Sequence, residues 1–269
     1  MANLTKPMRS AKPRGFVLYQ GPSLIDGAPI AVVAITKSSN RKTANMVQTY
    51  IIRSDINPLD ANRLGADVSI CGSCPHRGTA APDKPSGLAR GRSCYVNLGQ
   101  GPLGVYRSLI AGKYPVLAGH AAIAAVGQGR MVRIGTYGDG AAVPAYVWDS
   151  LLSLAKGHTA YSHQSGMRSS SFDASRYMVS ADNLVTATKA WREGMRTFRV
   201  MRHAADLMTG REILCPASEE AGRRTTCDRC GLCGGAAVKA KSIAIVAHGA
   251  GAVHSTTAQR HTMNVDANA

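Results

Sequence analysis

Residues 131–139 read Met-Val-Arg-Ile-Gly-Thr-Tyr-Gly-Asp, and residues 143–155 read Val-Pro-Ala-Tyr-Val-Trp-Asp-Ser-Leu-Leu-Ser-Leu-Ala. The first run is short, carries β-branched and aromatic residues, and closes on Gly138-Asp139. The second places its apolar residues at helical spacing. A strand, a glycine-bounded turn and a helix in that order make a β/α unit, the building block of a parallel sheet. Outward from it the rhythm continues. Strands are expected at 67–70, 159–163, 177–180, 197–201, 212–215 and 242–248, with helices at 104–111, 118–125 and 184–193. Asp182 or Asn183 caps the last helix.

These strands predict an α/β fold, a partial or complete TIM-like β/α barrel over residues 58–248. Ahead of it, residues 16–57 read as a small β-rich N-terminal layer. It comprises a hairpin that turns at Asp26-Gly27 and a further strand at 46–52. Residues 1–15 form a basic, flexible tail, and residues 249–269 a C-terminal tail. In β/α barrels chemistry gathers at the C-terminal ends of the strands. Cys71, Cys74, Asp139, His163, Gln164, Asp182, Cys215 and His248 all fall at such ends in this reading.

The 269 residues include 32 Lys and Arg against 16 Asp and Glu, a net charge of +16. A surface of that sign attracts polyanions, so nucleic acid is the expected partner. No apolar run reaches membrane-spanning length, and the N-terminal residues lack the apolar stretch of a secretory leader. A cytoplasmic location without membrane contact is therefore expected. The oligomeric state is not written in the sequence.

Seven cysteines in a reducing compartment, odd in number and closely spaced, point to metal ligation rather than disulfides. They fall into two sets. Cys227, Cys230 and Cys233 form a C-x2-C-x2-C run, with Cys215-Pro216 twelve residues before it. Such a run with a remote cysteine-proline pair suits a 4Fe-4S cluster, because the short loop wraps three corners of the cube and a distant segment closes the fourth. Zinc is the alternative for four thiolates. Cys71, Cys74 and Cys94 make the second set and leave one position to another ligand, with His76, His120 and His163 as candidates. One or two clusters are thus expected.

The order CGSCPH (71–76), SCYVN (93–97), RIGTYGD (133–139), then HQ (163–164), SAD (180–182), CPAS (215–218) and CDRCGLCGG (227–235) resembles phage-encoded radical-SAM-like iron-sulfur proteins. The similarity covers about residues 65–248. It implies a partial TIM-type barrel with a three-cysteine cluster at its mouth, SAM as a cofactor, and the host cytoplasm as the location. The usual radical-SAM spacing is C-x3-C-x2-C, whereas Cys71, Cys74 and Cys94 stand as C-x2-C-x19-C. By the same resemblance Gly138 and Asp139 occupy the place of the loop that contacts the methionine moiety. Gln164 is a further cofactor-binding candidate, and Asp139 and His163 are the catalytic candidates. Binding or modification of nucleic acid is the expected function. The alternative is a non-catalytic nucleic-acid-binding or assembly protein stapled by structural zinc or iron-sulfur sites.

Other features bear on these roles. Lys189, Arg192, Arg196, Arg199, Arg202 and Arg211 form a candidate phosphate-tracking stripe, with Trp191, Phe198 or Tyr177 for base stacking. Arg223, Arg224 and Arg229 decorate the cysteine loop. Lys37, Arg41 and Lys42 flank another candidate phosphate contact, and the serine-rich run 167–176 is a candidate lid. Gly99-x-Gly101-x-x-Gly104 matches a dinucleotide fingerprint, but its proline and the cysteine loop before it argue against that use.

Overall fold

The computed structural model describes residues 13–222 and 225–247. Most of the expected N-terminal tail, Arg223, Arg224, His248 and the expected C-terminal tail lie outside the described residues. The fold is mixed α/β, with two five-stranded sheets. In the first, β1 (Gly15–Pro22), β2 (Pro29–Ile35) and β3 (Val47–Arg53) pair antiparallel, and β4 (Met131–Tyr137) and β5 (Gly157–Thr159) then continue parallel to β3. The β-rich N-terminal strands thus share a sheet with the first β/α unit.

The second sheet is wholly parallel, in the order β6 (Tyr161–Ser162), β7 (Met178–Ala181), β8 (Thr197–Met201), β10 (Ser242–Val246), β9 (Glu212–Leu214). Only Ala160 separates β5 from β6. Its N–H donates to the Cys233 carbonyl and its own carbonyl accepts from Met178, so one chain segment passes from sheet to sheet. The sequential strand order of a TIM barrel does not hold at the far end, where β10 sits between β8 and β9.

Seven α-helices stand among the described residues: α1 (Pro58–Arg63), α2 (Val68–Cys71), α3 (Gly101–Ile110), α4 (His120–Gly127), α5 (Ala145–Leu152), α6 (Leu184–Arg192) and α7 (Cys227–Cys230). Asn57 caps α1, and Asn183, rather than Asp182, caps α6 by accepting from the Thr186 N–H at 2.8 Å. The strand expected at 67–70 is instead the short helix α2. Two facts explain this. The position beside β3 is taken by β4, paired Val47 to Val132. Buried Asp67 is committed to Arg77 at 2.6 Å and to Asn62 at 2.7 Å, which folds the chain back on itself.

The two sheets are unequally packed. The first carries a large core that includes Ile30, Val33, Ile51, Val132, Ile134, Trp148 and Leu151. The core cluster of the second has five buried residues, Met178, Cys215, Cys233, Ile243 and Ile245, and two of the five are cysteines.

Candidate metal centre

The three-cysteine set is assembled from two distant segments by backbone and side-chain bonds. Cys71 ends α2, and Gly72 then turns the chain at φ +53°, where a Cβ would stand 2.3 Å from Gln164 Oε1. Cys74 N–H donates to the Cys71 carbonyl. The second segment is strapped to the first because the N–H groups of Ser93 and Cys94 both donate to the His76 carbonyl, at 3.2 and 3.0 Å. Arg92 holds the Cys94 and Val96 carbonyls from the other side. Burial pushes the Cys71 thiol well up, and nearby Asp67, Cys74 and Cys94 add to the rise. Cys94 is raised by burial too, with Arg92 opposing.

The four-cysteine set hangs on the second sheet. Cys215 follows β9 and donates to the Ala244 carbonyl of β10. Cys227 opens α7 with its N–H on the Lys42 carbonyl at 2.8 Å, and Gly231 ends that helix at φ +64°. Arg196, almost fully buried, bonds the carbonyls of Leu232, Gly235 and Lys241 at 2.7–2.9 Å and so clamps the loop. Burial pushes Cys233 up to about 12, with Tyr161 opposing and Cys215, Cys227 and Cys230 adding. Burial raises Cys227 as well, against Arg133 and Lys42. Cys71 thus feels Cys74 and Cys94, and Cys233 feels Cys215, Cys227 and Cys230. Thiols of this kind release their protons to solvent when a cation binds, and the cation's charge offsets the cost of burying thiolates.

The sets face two cavities that share wall residues. A cavity of about 300 Å³ is lined by all four C-terminal cysteines together with Cys74, Cys94, His76, His163 and Asp182. A second, of about 160 Å³, is lined by Cys71, Cys74 and Cys94 with Arg77, Arg92, Tyr137 and Asp139. Arg133 borders both. Its guanidinium stands 5.5 Å from the Tyr161 ring centre and donates to the Tyr95 hydroxyl at 3.1 Å. Burial would lower its pKa, but Tyr95, Tyr161, Cys227 and Cys233 outweigh that and raise it, so the cation is fixed between the two sets.

The remaining candidates separate by what their polar atoms already do. Asp139 borders the smaller cavity, yet its carboxylate accepts from Ala141 N, Ser162 Oγ, His163 N and Gln164 Nε2, all at 2.9–3.1 Å. Gln164 is 1% exposed. Its amide donates to the Cys71 carbonyl and to Asp139, and its oxygen accepts from Ser73. Gly138, at φ +81°, lies against β3, where a Cβ would meet Ile51 at 2.8 Å. These three residues join the cysteine-bearing turn to the strand ends and fix where His163 stands. His163 lines both cavities and bonds Asp182 at 3.2 Å. Burial disfavours its charge, but Cys74 and Asp182 reverse that and raise its pKa well above the ordinary histidine value. His120 begins α4 and bonds Ser150 at 3.1 Å, away from the residues lining either cavity.

Two donors at the site have no partner among the described residues: the buried Tyr137 hydroxyl in the smaller cavity and the buried Thr159 hydroxyl in the larger. The convergence of His76 and His163 on Asp182 was not foreseen as a unit. The signal available was a carboxylate directly ahead of a helix cap at the end of a parallel strand. Among the described residues, this trio is the group of three or more His, Cys, Asp or Glu whose ligand atoms all lie within 4.8 Å.

Of the expected phosphate stripe, Lys189, Arg192, Arg202 and Arg211 are exposed, and Arg196 and Arg199 are internal. Arg196 clamps the cysteine loop, and Arg199 pairs with buried Glu212 through two bonds of 2.8 and 2.6 Å. Tyr177 is fully buried, and Trp191 donates to Ser242 and Thr197. Asn40, Lys42 and Thr43, by contrast, do reach the rim of the larger cavity. The serine-rich run is no lid on either cavity: Ser171 bonds Ala141 and Val143, and Phe172 stacks on Tyr177 at 5.9 Å. No helix among the described residues is long and apolar enough to cross a membrane. No family model, curated protein or solved structure matches the chain.

Proposed function

We propose that this chain is a radical-SAM-like iron-sulfur protein that binds or modifies nucleic acid. In this reading Cys215, Cys227, Cys230 and Cys233 hold one 4Fe-4S cluster, and Cys71, Cys74 and Cys94 hold another with a coordination position to spare. The observation that carries it is that all four cysteines of one set and Cys74 and Cys94 of the other line a single cavity of about 300 Å³. A cube would spread its thiolates over separate irons, and a three-thiolate set would leave one iron open to that cavity. The partnerless Tyr137 and Thr159 hydroxyls offer donors to sulfur acceptors inside each cavity.

When bound, the clusters would supply one-electron chemistry. The chain's residues partly bury Cys71 and Cys94, keep the cationic Arg133 between the sets, and hold His163 at the strand end through Asp139. We read the parallel strands from β3 to β9 as an opened β/α barrel with its site at the C-terminal ends. The net charge of +16 and Lys42 at the rim favour a nucleic-acid substrate.

Anaerobic purification followed by iron, sulfide and zinc analysis tests this. Iron and acid-labile sulfide in near-equal amounts, with a brown absorption, are expected. Colourless protein holding only zinc would overturn the cluster assignment. Incubating the reduced protein with SAM and assaying for methionine and 5′-deoxyadenosine then separates an enzyme from a stapled binder.

A further inference from the structure

One group of side chains at the wall of the larger cavity belongs to neither cysteine set. His76 sits in the single turn Pro75–Arg77 after Cys74, His163 follows β6, and Asp182 follows β7. Their ring nitrogens point at the same carboxylate oxygen: His76 Nε2 is 2.9 Å and His163 Nε2 is 3.2 Å from Asp182 Oδ1. The rings are 5.9 Å apart and inclined at 66°, so the two nitrogens approach from different directions rather than stacking.

Those distances have a coordination meaning. Metal–nitrogen and metal–oxygen bonds of about 2.0–2.2 Å put neighbouring ligand atoms about 2.9–3.4 Å apart for angles between octahedral and tetrahedral. Both observed separations fall in that range. Each ligand is also held from behind. His76 Nδ1 bonds Ser93 Oγ at 2.7 Å, the arrangement that fixes which ring nitrogen faces a metal. The His163 backbone N–H is held by Asp139, and the position after Asp182 is locked by Asn183 capping α6.

We propose that His76 Nε2, His163 Nε2 and Asp182 Oδ1 form a mononuclear site for a divalent first-row transition-metal ion, separate from any metal on the cysteines and open to the 300 Å³ cavity. Two imidazoles and one carboxylate leave further coordination positions for a ligand, the pattern of open zinc and iron(II) centres. The assignment stands whether the cysteines hold iron or zinc. It removes both His76 and His163 from the ligands available to the three-cysteine set.

Cobalt(II) alone is the probe, supplied anaerobically in excess of the cysteine sites to the metal-free full-length chain, so that the thiolates fill and the second sheet folds before the extra equivalent is counted. Cobalt on thiolates gives an intense charge-transfer band in the near ultraviolet, whereas cobalt on nitrogen and oxygen gives only weak visible bands. One equivalent per chain is expected to bind with visible bands alone, beside the thiolate-bound equivalents. Asp182→Asn and His76→Gln should each weaken that equivalent at least tenfold and leave the thiolate band intact. Ser93→Ala should weaken it by about tenfold or more. Wild-type chain whose cobalt is all thiolate-bound would overturn the proposal, and that measurement does not depend on any variant folding. Folded variants that keep the extra equivalent at wild-type affinity would overturn it too.

Discussion

The two cysteine sets border the same space but rest on different foundations. Cys71 packs against the large core of the first sheet, and its turn is held by side chains: Gln164, Asp139, Arg77 and Arg92. Cys215 and Cys233 are themselves part of the five-residue core of the second sheet, and their loop is held by backbone bonds and the Arg196 clamp. A turn fastened to a full core keeps its place without metal. A loop that forms part of a meagre core depends on whatever its cysteines hold, because metal binding and folding are then one equilibrium.

The largest effect that separates the two comes from metal loss at the four-cysteine set. Cys230→Ser should lower the stability of β8, β9 and β10 by more than about 4 kcal/mol, the scale of losing a structural metal, while amides of β1–β4 keep their protection in hydrogen exchange. Equal loss in both sheets would show that they unfold as one unit. Next comes Glu212→Ala, which strands the buried Arg199 charge in the second sheet. It should cost about 3–5 kcal/mol by denaturant titration.

Asp139→Ala acts on the other side. It removes the acceptor for Ser162, His163 and Gln164 and should cost about 2–4 kcal/mol from donors left unpaired in the interior. Metal analysis of this variant should show the three-cysteine set depleted and the four-cysteine set full. Depletion of both would erase the distinction drawn between them. The smallest effect belongs to Tyr95→Phe. Its side chain is mostly exposed, and the substitution keeps the ring while removing the hydroxyl that accepts from Arg133, so thermal stability should change by no more than about 0.5 kcal/mol.

Much of the architecture was legible because it follows from local pattern. Met131–Tyr137 and Thr197–Met201 lie at the residues expected, and α6 begins at the expected Leu184. Spacing also put Cys227, Cys230 and Cys233 together, since residues three apart in one short loop cannot be far from each other. The failures have a common cause. Residues 67–70 carry a strand-like apolar pair, but a strand needs a neighbour, and β4 had taken that edge of β3. Arg196 and Arg199 count as surface charge in a composition, and only packing shows them spent on carbonyls and on Glu212. Asp139 between two glycines looked free to reach outward. The strand ends around it supply four donors, so the carboxylate turns inward instead.

By itself the sequence determined the α/β class, the positive charge, and that Cys227, Cys230 and Cys233 share one loop, because each rests on composition or on short spacing along the chain. Only the tertiary structure decided that the two sets share one space, that Arg133 stands between them, and that His76, His163 and Asp182 meet. Those three residues are brought together from separate strand ends and a distant turn, and no local propensity records which ends of a sheet will face each other.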